Sequence, residues 1–303
     1  MRAPGIYAQH PDMFDLVERR AQIVRVADGF QATTGPVFSR IGFLLFSDLA
    51  RKKIYKWTIP VWENEPSGGK LTVFREESQG ACGLTFDHQG RLLTCEQDAG
   101  RVTRTEKNGS ITVLADRYRG KRLDGPNDLV YNIDGSVYFS DLSRRSPTDP
   151  QRTNLSAVYR IARTQVPGAS RLERVSQEYA RPSGVALGPR QNLLYVADGG
   201  RKNIRVQPLN DDGTLGQGRV FAEFSADESG GRFGLKTDEL GNVYSSGPGG
   251  LWIFSPTGNH LGTIVTPEQP SNCCWGRGIL GLYITARTSV YYVPTKVPGT
   301  KTF

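Results

Sequence analysis

Gly135-Ser136-Val137-Tyr138-Phe139-Ser140-Asp141 is a turn glycine followed by a short apolar and aromatic run that closes on a small residue and an acid. The same phrase stands at Gly42–Asp48, Gly90–Glu96, Asn192–Asp198, Gly241–Ser246 and Gly281–Ala286. Its six end points, at 48, 96, 141, 198, 246 and 286, lie 40 to 57 residues apart. A period of this length, with several short strands in each unit, is the pattern of a propeller blade. Working outward from the third copy, Leu129-Val130-Tyr131 precedes it, Asp134-Gly135 makes the turn, and Ala157-Val158-Tyr159-Arg160-Ile161 comes after. Short apolar runs bounded by Gly, Asp or Asn are strand and hairpin signals. Only Met13 to Arg20 reads as helical. Two stacked sandwiches would not need six matching units, so the sequence predicts an all-β chain folded as a six-bladed β-propeller.

Length alone leaves two ordinary domains or one large all-β domain for 303 residues. The repeat decides for one: a single propeller over residues 1–303, with 1–24 as an extension packing on it. Its turns use the 35 Gly and 18 Pro. No run approaches the ~18 consecutive apolar residues of a membrane span. The formal charge of +8 is spread over short clusters such as Arg19-Arg20 and Arg51-Lys52-Lys53, separated by acids. It reads as solvated surface, and neither nucleic acid nor membrane is expected as a partner. Cys82, Cys95, Cys273 and Cys274 form no C-x-x-C pair, and Met1 to Phe14 holds no apolar leader core. Reduced thiols in a cytoplasmic protein, a monomer or weak homodimer, are the expectation. The clusters Gly199-Gly200, Gly230-Gly231 and Gly247-Pro248-Gly249-Gly250 lack the Lys-Ser/Thr of a phosphate loop.

In a propeller the innermost strands run along a central channel, and the segments opening them converge at one end. Those segments are Thr33 to Val37, Ala81 to Leu84, Gly125 to Leu129, Pro182 to Val185, Phe233 to Leu235 and Asn272 to Cys274. Their wording resembles the senescence marker protein/gluconolactonase family, also called regucalcin-like, from about Arg25 to Pro294. The resemblance is carried by Thr34-Gly35-Pro36-Val37-Phe38, Leu123-Asp124-Gly125-Pro126-Asn127-Asp128-Leu129-Val130 and Arg181-Pro182-Ser183-Gly184-Val185-Ala186. Gly234-Leu235-Lys236-Thr237-Asp238-Glu239-Leu240-Gly241 and Ser271-Asn272-Cys273 extend it. It implies a propeller whose axial ion, usually calcium and sometimes zinc or iron, assists opening of sugar lactones and related esters by polarising the carbonyl and activating water.

Against that pattern the ligand positions are changed. The resemblance puts a Glu where Thr34 stands, an Asn at Ser183 and an Asp at Phe233, so both carboxylates are gone. A hard divalent cation needs anionic oxygen partners to offset its lost hydration. No cofactor is therefore expected, although calcium or zinc is what the family implies. Cys82 stands where the resemblance puts Asn, and Gln97 where it puts His; Asn127 and Asn272 match. Asn127, after Pro126, and Asp124, the nearest carboxylate to the channel mouth by sequence, are the candidates for chemistry. Asp128 would point the opposite way on a regular strand and cap a turn. Thr34, Cys82, Gln97, Ser183, Phe233 and Asn272 are the candidates for binding a small-molecule substrate. Thr34 and Ser183 offer hydroxyls as donors and acceptors, and Phe233 would make the channel more apolar. Ser183 lacks a nucleophile-elbow motif, and His88 and His260 fall in turns away from Cys82. Acids ending the repeat phrase, such as Asp48, Glu96 and Asp141, are expected to make structural hydrogen bonds.

The sequence supports two readings. One is a gluconolactonase-like enzyme acting on a lactone, ester or other cyclic compound without the usual metal, by hydrolysis or by a repurposed elimination, isomerisation or cyclisation. The other is a non-catalytic propeller that binds a ligand or a protein.

Overall fold

The computed structural model describes residues 2–59, 68–143, 149, 151–163, 170–224, 233–276 and 281–300. Its strands form six antiparallel sheets, four of them in chain order from the axis outward and two completed on the outer edge by an amino-terminal strand, and a two-stranded hairpin of Arg117–Tyr118 with Lys121–Arg122. The innermost strands are Thr33–Ser39, Ala81–Phe86, Pro126–Tyr131, Pro182–Leu187, Leu235–Thr237 and Pro270–Gly276. Each touches the next, and Pro270–Gly276 touches Thr33–Ser39, so the ring closes. This is a six-bladed β-propeller.

The repeat phrase is the second strand of each blade. Blades on both sides cover it, so all five residues of Val137–Asp141 are buried, and Tyr138, Tyr244 and Tyr283 rank among the largest wholly buried side chains. The acid that ends the phrase holds the loop entering its own blade. Asp48 accepts hydrogen bonds from the N–H groups of Gln31 (2.9 Å) and Ala32 (3.0 Å). Asp141 accepts from Asp124 and Gly125, and Asp198 from Ala180 and Arg181. Glu96 differs, pairing with Arg75 at 3.0 Å and Arg101 at 2.6 Å.

The amino-terminal stretch ties the ring shut. Val24–Ala27 is the outer strand of the sixth blade, in register with Tyr292, Tyr291 and Val290. Gly5–Ala8 adds a fifth strand to the fifth blade, against Val265 to Gly262. The single helical turn Met13–Leu16 lies between them, and Met13, Leu16 and Val17 are buried in the core shared by these blades. No helix among the described residues is long and apolar enough to cross a membrane.

Close approach of neighbouring blades at the axis demands a missing side chain at Gly35. Its φ is +54°, and a Cβ there would lie 1.8 Å from the carbonyl oxygen of Cys82. A Gly35→Ala change both strains the backbone and forces the first two blades apart. The expected cost is about 2–4 kcal/mol, read as a fall in Tm of roughly 5 °C or more by thermal denaturation; an unchanged Tm would contradict the close packing.

Candidate active site

Contacts between successive blades place the strand-opening segments in one ring. The Ser271 hydroxyl donates to Thr33 O at 2.6 Å, and Gly35 abuts Cys82. Gly83 abuts Asn127 and Asp128, Gly184 N donates to Phe233 O at 2.9 Å, and Gly234 N donates to Ser271 O at 3.2 Å. Thr34, Cys82, Asn127, Ser183, Phe233 and Asn272 are thereby ring neighbours at one end of the axis.

Their side chains have separate tasks. The Ser183 hydroxyl donates to Ala197 O at 3.1 Å. Phe233 has a φ of +54°, and its ring packs on Phe224 (centroids 5.2 Å apart) and against Gly199. That ring belongs to the core of the fourth and fifth blades, so it does not supply the apolar channel wall expected from the sequence. Gln97 is buried in the turn after Leu92–Glu96, where its N–H donates to Gly80 O. Asp124 is wholly buried; its carboxylate lies 3.7 Å from the Arg152 guanidinium, which also donates to its carbonyl oxygen at 2.7 Å. Asn127 is partly buried.

Asp128 does not follow the strand alternation. The ladder of its blade slips between Pro126 and Leu129, and four of the other five inner strands slip at the matching place: Thr34/Val37, Ala81/Leu84, Pro182/Val185 and Pro270/Asn272. A bulge inserts an unpaired residue and re-aims the side chains beside it. One Asp128 carboxylate oxygen accepts from Leu129 N at 3.0 Å. The other faces Val185 N (3.4 Å), the Asn272 amide (3.5 Å) and Lys236 Nζ (3.8 Å), which come from three other blades. Lys236 Nζ also donates to Leu235 O at 2.9 Å and reaches Asn272 Oδ1 at 3.5 Å, which in turn accepts from Cys273 N. Burial raises the Asp128 carboxyl above its ordinary value, against the pull of the Lys236 charge and its hydrogen-bond donors. Buried carboxylates of this kind cluster at functional sites.

The four cysteines form no disulfide. Burial pushes the Cys273 thiol up to about 12 and raises Cys95 and Cys274 as well, so these three are not thiolates at neutral pH.

A cavity of about 810 Å³ occupies the other end of the axis. Its lining comes from the last residues of the inner strands, among them Ser39, Thr85, Tyr131, Leu187, Thr237 and Gly276, and from turns such as Arg40-Ile41-Gly42. None of the eight residues proposed from the sequence lines it. Lys236 does, and so does Val185, so both connect the cavity to Asp128. Sequence reasoning missed Lys236. Alignment of the units would have exposed it: two residues after the shared glycine stand Val37, Thr85, Ala186 and Lys236, the one charge among small or apolar side chains.

The donor set does not fit the calcium or zinc that the family resemblance implies. Ser183 and Thr34 bring neutral hydroxyls, Phe233 turns its ring into the core, and the carboxylate of Asp128 faces an ammonium. Among the described residues no three His, Cys, Asp or Glu side chains come together as a cation site. A hard divalent ion would find too little negative oxygen here to offset its dehydration.

The family model described as SMP-30/Gluconolactonase/LRE-like region matches residues 32–288. A gluconolactonase of Zymomonas mobilis is 31% identical, over 95% of this chain and 85% of its own. The lactonase Drp35 of Staphylococcus haemolyticus is 23% identical, over 81% of this chain and 73% of its own. Among solved structures, a gluconolactonase from Xanthomonas campestris shares 28% identity and a TM-score of 0.84, covering 97% of this chain and 95% of that one. A regucalcin from Agrobacterium tumefaciens shares the fold, with a TM-score of 0.75 at 16% identity over 93% of this chain and 96% of its own.

Proposed function

This chain belongs to the SMP-30/gluconolactonase/LRE-like family, and on that premise we propose that it hydrolyses a lactone in its axial channel without a resident divalent metal. The observation that carries this reading is the Asp128–Lys236–Asn272 cluster beside the cavity. A lactone carbonyl lying on Lys236 Nζ has a fixed positive charge where oxyanion charge develops, an interaction worth roughly 3 kcal/mol in comparable sites. Asp128 takes a proton from the water that attacks the carbonyl carbon. Collapse of the tetrahedral species breaks the ring C–O bond, and the proton on Asp128 passes to the departing ring oxygen. The product is the hydroxy acid, which releases its carboxyl proton to solvent. Asn272 holds the other two side chains in place, its amide N–H donating to Asp128 and its carbonyl oxygen accepting from Lys236. The proton carrier in this scheme is Asp128 rather than Asp124, whose carboxylate is tied to Arg152.

Acid release from δ-lactones, titrated at constant pH, tests the reading. Turnover well above spontaneous hydrolysis is expected. A non-catalytic binding propeller would bind a lactone and release no acid above background.

A further inference from the structure

We propose that the substrates are lactones carrying an apolar body, alkyl or aryl, rather than polyhydroxylated sugar lactones, and that they enter from the cavity end of the axis. The proposal rests on the lactone-opening reading for its chemistry and on the cavity for its specificity. About 810 Å³ is room for a molecule well beyond a bare sugar ring, within the usual range for small-molecule sites. The walls are Val37, Leu84, Leu129, Val185, Leu187 and Trp275. Several polar side chains in the lining are already engaged within the protein. The Thr237 hydroxyl donates to Leu187 O at 2.7 Å and meets the Thr300 hydroxyl at 2.9 Å, and the Ser39 hydroxyl accepts from Ile41 N. A sugar hydroxyl moved from water onto these aliphatic and aromatic walls loses hydrogen bonds and regains none there, which weakens binding about tenfold for each group. An alkyl or aryl body gains instead from leaving water.

A second observation points the same way. The three most exposed large aliphatic side chains among the described residues are Ile41 (84%), Ile133 (72%) and Leu240 (63%). All three sit on turns that join an innermost strand to the second strand of its blade, in the first, third and fifth blades. These turns are at the cavity end, and Ile41 itself lines the cavity. Apolar side chains exposed around an apolar opening mark a surface that meets apolar ligands. With the body of the ligand against these walls, its lactone carbonyl lies at Lys236, where the cavity meets Asp128.

The test uses the full chain with two measurements. Calorimetry with a δ-lactam carrying an octyl tail, which cannot be opened at the same rate, reads binding alone. Affinity rising at least about tenfold from a butyl to an octyl tail is expected, and Thr58→Trp, an exposed change at the cavity edge, weakens octyl-lactam binding at least tenfold. Steady-state hydrolysis then compares an octyl δ-lactone with glucono-δ-lactone, and kcat/KM about 100-fold higher for the octyl lactone is expected. Octyl-lactam binding that is absent, independent of tail length, or indifferent to Thr58→Trp overturns the proposal, as does equal or better use of the sugar lactone. Tail-dependent binding without hydrolysis of any lactone supports the apolar occupant and overturns the catalytic reading on which its chemistry rests, so the two failures are distinct.

Discussion

Lys236→Met lowers kcat for lactone opening at least 100-fold while changing KM little. Methionine nearly matches the shape of the lysine stem but carries no charge, so what disappears is the stabilisation of the oxyanion, about 3 kcal/mol. The pH profile separates this role from a packing role. Burial raises the Asp128 carboxyl, and the Lys236 charge opposes the rise. Asp128 must be ionised to take a proton from water, so kcat/KM climbs with pH through that raised value. The acidic limb of the wild-type profile therefore lies above the ordinary carboxylate range. Without the lysine the opposing charge is gone, and in Lys236→Met the limb moves to still higher pH. Asp128→Asn removes the limb together with the activity. A lysine that only filled space would leave the limb where it was. Measurement of kcat and KM across pH for the three proteins decides between the two.

Removal of residues 2–27 prevents folding to a monomeric propeller. The truncated chain lacks the outer strand of the sixth blade, the fifth strand of the fifth blade, and the buried side chains of Met13, Leu16 and Val17. Three such side chains contribute roughly 5–9 kcal/mol between them, before any strand hydrogen bond is counted. That is most of the ~5–15 kcal/mol by which a domain is stable. The exposed edge of Ser289–Pro294 would also be open to pairing with other chains. Circular dichroism and size-exclusion chromatography should show an unfolded or aggregated product; a monomer with native Tm would contradict the closure.

The legibility of each part of the fold in the sequence depends on which residues carry local signals. The second strands were legible because burial on both faces demands a continuous apolar run, a glycine must turn into it, and an acid such as Asp141 must hold the incoming loop. The amino-terminal closure was not, because Val24–Ala27 is a short strand whose partner lies at Ser289–Pro294 and whose own pattern is too brief to assign. The strand-opening segments were found, but not the directions of their side chains. Strand alternation aims Asp128 away from the axis, and the bulge after Pro126 turns it inward. At Phe233 the left-handed backbone sends the ring into the core, where an extended residue would have pointed elsewhere. Lys236 illustrates a further limit: a lone lysine in a strand reads as solvent-facing, and only its position on an innermost strand places it beside a buried carboxylate.

The claim that lactone opening here rests on Asp128 and Lys236, with no divalent ion, meets its most direct test in one measurement. The purified protein is stripped with a chelator, its residual calcium, zinc and iron are determined by elemental analysis, and acid release from an alkyl δ-lactone is followed before and after. Less than about 0.1 equivalent of each metal and an unchanged rate are expected. A tightly held stoichiometric ion, or a rate that falls tenfold on stripping and returns with added calcium or zinc, would contradict the claim.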